Sequence, residues 1–342
     1  MCETNLQCYV NAVFPGEILF YDNDKFVSSI KYHDSTLLEL CDSDIYFNIG
    51  SDRFKPSISI VDGRERKYLQ KKYHIASMAN EHKILSISGS VDLDCYMHLD
   101  DGTIKDFNGF IRKIALLEFC KRITDIIIIT NIARVGSVGI SDSIVIQDNM
   151  RDMSKILPDL SANSIFNAKN SAEEHNWPKF ADIKIADAWN WAMSNHLALD
   201  AFDGTQLGRA LSAFSRIFEY SKFDELVQLV WAMVGIEAIF GKESNGIMEQ
   251  LREKAEVIFG EQEQFKKRIS KMYKFRSKFI HGKLDFPCAN FLYDGAVPAE
   301  KFDAELFDSC YMAIAILCGA LQYIAANGWS GLSFKYKVEE SN

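Results

Sequence analysis

The stretch KMYKFRSKFIHGK, residues 271–283, governs the reading of this 342-residue chain. Between Gln264 and Leu284 stand Lys266, Lys267, Arg268, Lys271, Lys274, Arg276, Lys278 and Lys283, with no acidic residue among them. The whole chain carries a formal charge of −9, so this strip runs against its background. A local cationic excess on an acidic protein is a candidate contact for a polyanion. Set out at about 100° per residue, Phe265, Ile269, Met272, Phe279 and Ile280 share one face. Lys267, Lys271, Lys274 and Lys278 fall on the opposite face, the pattern of an amphipathic helix over 263–281. Arg276 breaks the pattern, landing about 20° from Phe265 in the middle of the apolar stripe. A guanidinium keeps its charge there and so requires a partner or a ligand. His281 lies about 140° further round, beside Gly282, a helix-stopping residue. On their own these features suit either a structural ion pair with a capping histidine, or a site.

A second anomaly sits on the helix expected over 223–240. Phe223, Leu226, Val227, Val230, Val234 and Ala238 share a face, and Glu237 lies within it at about −40° from Phe223. The segment is apolar almost all round, as a central helix of a bundle should be. An acid and an arginine thus both point inward, and each left alone would cost several kcal/mol in a dry core. Pairing Glu237 with Arg276 is the simplest solution, with a loss of about 3–5 kcal/mol expected on removing one partner of a buried pair. The pair reads equally as a structural salt bridge or as a device that orients the guanidinium.

RSKFIH at 276–281 has the R-x4-6-H spacing of the HEPN superfamily, and YKFRSKFIHGK at 273–283 resembles its ApeA-type branch. The similarity extends to WNWA at 189–192, GRALSAF at 208–214, WAMVGIEA at 231–238 and LREK at 251–254, so it covers the chain from about 181 onward. The resemblance implies an all-α HEPN-like bundle and a metal-independent endoribonuclease whose Arg and His line one composite cleft in a homodimer. It further implies a cytoplasmic phage-defence toxin acting on RNA, tRNA among the candidates, with the N-terminal half answering a phage or host trigger. Some superfamily toxins governed by a nucleotidyltransferase carry a Tyr two places after the motif His; here that position is Lys283, so modification there is not implied. The superfamily also contains non-catalytic modules. An RNA- or protein-binding scaffold therefore stands as a second reading, and an enzyme of another class in the N-terminal half as a third.

The chemistry follows from the groups present. RNA cleavage without a metal uses the ribose 2′-OH as nucleophile and needs a proton acceptor, a proton donor and positive charge beside the phosphorus. Histidine changes charge near neutral pH, which gives His281 the proton-transfer role. Arg276 offers a forked, permanently charged donor to phosphate oxygens, and Ser277 adds a hydrogen bond. One motif histidine per chain falls short of an acid and base pair; two protomers would bring two. Lys267, Lys271, Lys274, Lys278 and Lys283 would hold the backbone in a salt-sensitive, sequence-blind way. No acidic cluster or His/Cys set lies near the motif, so no metal and no cofactor are expected.

The remainder of the chain gives a fold class. Eight cysteines are scattered without regular spacing and read as reduced thiols. The opening MCETNLQCYV has an early acid and no apolar core, unlike a signal peptide. The apolar segment 309–329 is marginal in length and holds polar residues, and reads as a buried bundle helix or a dimer helix rather than a membrane span. Residues 1–150 read as a β-rich domain with strands at 8–13, 17–21, 26–32, 45–48, 57–61, 84–88, 92–98, 125–130 and 144–147, and one helix at 110–123. Residues 151–180 read as a linker. Helices are expected near 182–197, 205–221, 223–240, 246–258, 263–281 and 302–326. The fold class is α+β, a β-rich N-terminal domain followed by an all-α HEPN-like bundle.

Overall fold

Alternating residues of β1 (Cys2–Val13) bury Leu6, Cys8, Val10 and Ala12 on one face and Tyr9 on the other, so this strand must be covered on both sides. After it the chain runs α1 (Asn23–Asp42), β2 (Phe47–Ile49), β3 (Asp52–Phe54), β4 (Ser57–Val61), α2 (Gly63–Tyr73), β5 (Lys83–Leu93), β6 (Tyr96–His98), β7 (Ile104–Asp106), α3 (Asn108–Ala133), β8 (Gly139–Gln147) and β9 (Met153–Ser154). The computed structural model describes residues 2–15, 23–73, 83–94, 96–98, 104–147, 153–154, 157–195, 204–219, 225–241, 247–260, 263–286 and 297–334. β1 is the middle strand of an antiparallel sheet ordered β4-β5-β1-β8-β9, with a register irregularity between Val10 and Asn11 against β8. One face buries Tyr9, Val61, Ile84 and Ile144 with Leu69 of α2. α3 packs on β1, β5 and β8.

Two compact units divide the chain: Met1–Asn163 with Ile183–Ala198, and Ser164–Asp182 with Leu199–Asn342. The chain is therefore α+β, but the first unit is mixed rather than β-rich. Residues 26–32, expected as a strand, lie inside α1, because its buried set His33, Thr36, Leu37 and Leu40 follows helical spacing. Residues 125–130, expected as a strand, continue α3. Ile126, Ile127, Ile128 and Ile129 are all buried there, so packing on every side overrides their strand preference. Asp125 pairs with Arg122 one turn earlier at 3.0 Å. Asn131 closes the helix end: its Nδ2 donates to Val138 O at 2.8 Å and its Oδ1 accepts from Ser137 N at 3.0 Å. The expected strand at 17–21 lies outside the described residues.

The linker expectation also gives way. Residues 151–180 contain α4 (Asn163–Glu174), which buries Ile165, Phe166 and Ala168 in the second unit. After it Trp177 stacks on Phe265 at 4.4 Å, and Ala181 N donates to Gln322 Oε1 at 2.8 Å. The helix expected at 182–197 is α5 (Ile185–Ser194), and it belongs to the first unit, packed on α3. Glu39 of α1 fixes it there, accepting from Ile185 N at 2.9 Å and from Arg134 Nε at 2.7 Å. A carboxylate at the start of α5 also suits the positive end of that helix.

The second unit continues with α6 (Gln206–Arg216), α7 (Glu225–Phe240), α8 (Ile247–Phe259), α9 (Glu263–Ile280) and α10 (Val297–Ala326). Thr205 caps α6, its Oγ1 accepting from Gly208 N at 2.9 Å. α7 packs on α6 and α10. A Cβ at Gly235 would come within 2.8 Å of Leu317, so the absence of a side chain lets α10 approach closely. The face of α7 turned inward is Leu229, Ala232, Met233, Ile236, Ile239 and Phe240. Val227 and Val234, read from sequence as core, are 42% and 37% exposed, because a helix apolar all round does not reveal its phase. α10 is the one described helix long and apolar enough to cross a membrane, and most of that apolar stretch is buried inside the second unit.

Candidate functional site

α9 is an amphipathic helix, and its packing fixes what it presents. Phe265, Ile269, Met272 and Phe275 are buried, and the Arg268 guanidinium donates to Asp308 of α10 at 2.5 Å. Phe275 meets Phe302 of α10 with ring centres 5.9 Å apart. On the other side Lys266 pairs with Glu256 of α8 at 3.3 Å. Ile280, expected on the apolar face, is 48% exposed; the buried stripe is rotated toward Phe275.

The helix ends in a Schellman turn. Gly282 N donates to Phe279 O at 3.0 Å and Lys283 N to Lys278 O at 2.7 Å, with Gly282 at φ +63°. His281 is thereby held at the last half-helical position, exposed to solvent, with its own N–H on Ser277 O at 3.1 Å.

Beside this end lies a groove of about 900 Å³. Its walls are the outer face of α9, Arg252 of α8, Glu305 of α10 and Lys283 just past the turn. Ser277, His281, Lys267, Lys271, Lys274, Lys278 and Lys283 all line it, so the structure gathers seven of the residues singled out from sequence. Among the described residues those five lysines have no carboxylate within ion-pair distance, whereas Lys266 and Arg268 do. Unneutralised charge concentrated along one wall favours an anionic ligand.

Arg276 and Glu237 are not part of that wall. The guanidinium turns toward α7, its Nη2 3.5 Å from Glu237 Oε1, which is the ion pair expected from the two inward charges. The side chains keep 19% and 23% of their exposure, so the pair is only partly dry. Neither Glu237 Oε1 nor Arg276 Nε has a hydrogen-bond partner among the described residues, so the contact is one of charge rather than a forked hydrogen bond. Tyr273 links the pair to the groove. It lines the groove, and its ring centre is 6.0 Å from the Arg276 guanidinium carbon. Burial pushes its phenol up from the ordinary tyrosine range; the Glu237 carboxylate adds to the rise and Arg276 opposes it.

Arg252, Ser270, Tyr273 and Glu305 of the groove were not singled out from sequence. Ser270 and Tyr273 were within reach of it, since helical spacing puts them with Lys274, Ser277 and His281. Arg252 and Glu305 come from other helices, and only tertiary packing brings them in. Among the described residues no three His, Cys, Asp or Glu side chains gather as a metal-holding group. No protein-family model, curated protein or solved structure matches the chain.

Proposed function

We propose that the second unit is a HEPN-like ribonuclease module that cleaves RNA without a divalent metal. The observation that carries this reading is the groove in which His281 and Ser277 lie among five lysines with no acidic partner in the described residues. In the reaction the 2′-OH gives up its proton as its oxygen bonds to the neighbouring phosphorus. The bond from phosphorus to the 5′-oxygen breaks, and that oxygen takes a proton. The ends left are a 2′,3′-cyclic phosphate and a 5′-hydroxyl. His281 moves one of these protons, and His281 of a second copy moves the other, making the active species a homodimer with a shared cleft. Ser277 and Tyr273 supply hydrogen bonds to phosphate oxygens. Lys267, Lys271, Lys274, Lys278 and Lys283 hold the strand and neutralise charge as it builds up. The Glu237–Arg276 pair steadies the end of α9 that carries His281.

The setting proposed is the cytoplasm of a prokaryotic cell, where the first unit answers an infection-linked trigger and the second damages RNA. Apolar surface for pairing is offered by Val227 and Val234 on α7, since α10 is occupied within its own unit. A second reading, a non-catalytic RNA-binding scaffold, is favoured by Arg276 turning to Glu237 instead of lining the groove. Expression of the wild type and of His281→Ala in a bacterial host separates the two. Growth arrest with RNA fragmentation, both abolished by the substitution, supports the nuclease; equal effects of the two proteins support the scaffold.

A further inference from the structure

We infer that Arg252 of α8, rather than Arg276, is the guanidinium that binds a phosphate in the groove. The inference rests on the nucleic-acid reading of that groove. Arg252 lines the wall that holds Ser277 and His281, and Arg276 does not. α8 is anchored so that Arg252 must face this way. Leu251 and Ala255 are buried, and the Lys254 ammonium turns inward to donate to Phe240 O and to Gln250 Oε1. Lys266 of α9 is tied to Glu256 of α8 at 3.3 Å, which fixes Arg252 against the lysine wall.

Arg276 already has its counter-charge in Glu237 at 3.5 Å. Arg252 lines the groove and has no carboxylate partner among the described residues, so its charge stands uncompensated at the wall. A phosphate entering the groove would neutralise that guanidinium, in the forked geometry that arginine offers and lysine does not. The surrounding lysines then act as point charges along the strand, while Arg252 fixes the position of one phosphate relative to His281.

The test uses the full chain carrying His281→Ala, so that RNA survives the measurement. Binding of a labelled single-stranded RNA and of inorganic tripolyphosphate is followed across a salt series for the parent, Arg252→Gln, Arg252→Lys and Arg276→Gln. Thermal melts confirm that each variant is folded. Arg252→Gln is expected to weaken both ligands about tenfold and to reduce the salt slope for RNA by about 0.7, the loss of one phosphate contact on a single strand. Arg252→Lys restores the slope but not the full affinity. Unchanged binding and slope in Arg252→Gln, with both lost in Arg276→Gln, overturns the assignment, as does a parent that binds neither ligand. Tripolyphosphate bound through Arg252 while RNA is ignored upholds the phosphate site and defeats the RNA reading.

Discussion

Replacing Glu237 with Gln keeps the shape of the side chain and removes the charge opposite Arg276. At 3.5 Å the attraction between the two unit charges is about 5 kcal/mol at an effective dielectric of about 20. Desolvation opposes much of that, since each side chain has lost about four-fifths of its exposure. Exposed pairs are worth about 0–1 kcal/mol and truncation of a fully buried pair costs about 3–5 kcal/mol. This pair lies between them, with a carboxylate oxygen and an Nε that lack hydrogen bonds, so the expected loss is about 2 kcal/mol. Urea unfolding of wild type, Glu237→Gln, Arg276→Gln and the double variant gives both the loss and the coupling. The double variant should fall short of the sum of the singles by about 1–2 kcal/mol, the range for contacting groups. A loss in Glu237→Gln below about 0.5 kcal/mol, the spread of ordinary surface changes, together with additive singles, would mean that Glu237 and Arg276 are not energetically coupled. A second readout comes from Tyr273: without the Glu237 carboxylate its phenol should titrate lower, as followed by tyrosinate absorbance.

Lys271→Ala combined with Lys274→Ala should weaken RNA binding and flatten its salt dependence by about 1.4 in slope, two contacts' worth, without altering the melting temperature. Tyr273 also has a consequence for stability against pH. Its folded phenol titrates above the unfolded value of about 10, so the stabilisation is complete below that value and is lost as pH rises through the folded one. Tyr273→Phe should remove that alkaline component of the unfolding profile. Gly282→Ala should destabilise the end of α9 by about 1–2 kcal/mol, because φ +63° costs a residue with a Cβ about that much although nothing stands in the way of the methyl; an unchanged urea midpoint would count against the turn that holds His281.

The parts of the fold written in local periodicity were legible, and the parts decided by surroundings were not. Residues 57–61 alternate and form β4 over that span, and the Gly and Thr signals around α6 and α9 marked their ends. Residues 26–32 by themselves do not show the helix of α1, whose stripe runs on through His33, Thr36, Leu37 and Leu40 with two polar members in it. The isoleucine run at 126–129 carries no phase, since all four side chains are buried. The same holds for α7, whose exposed side with Val227 and Val234 is as apolar as the buried side with Leu229, Met233 and Ile236. The lysine wall, Ser277 and His281 could be read from one helix; the Glu237–Arg276 contact was expected as well, but from a face of α7 that proves to be its exposed one. Arg252 could not be read: LREK at 251–254 entered only as part of the resemblance, and nothing in it distinguishes a groove-lining arginine from a solvated one.

The proposed chemistry has His281, served by this groove, cleave RNA without a metal. The most direct measurement incubates the full chain with RNA in EDTA and determines the chemistry of the new ends. Fragments with 2′,3′-cyclic phosphate and 5′-hydroxyl ends, formed by the wild type and absent with His281→Ala, are the expected result. Cleavage that vanishes in EDTA and returns with magnesium, or that persists in His281→Ala, would contradict it.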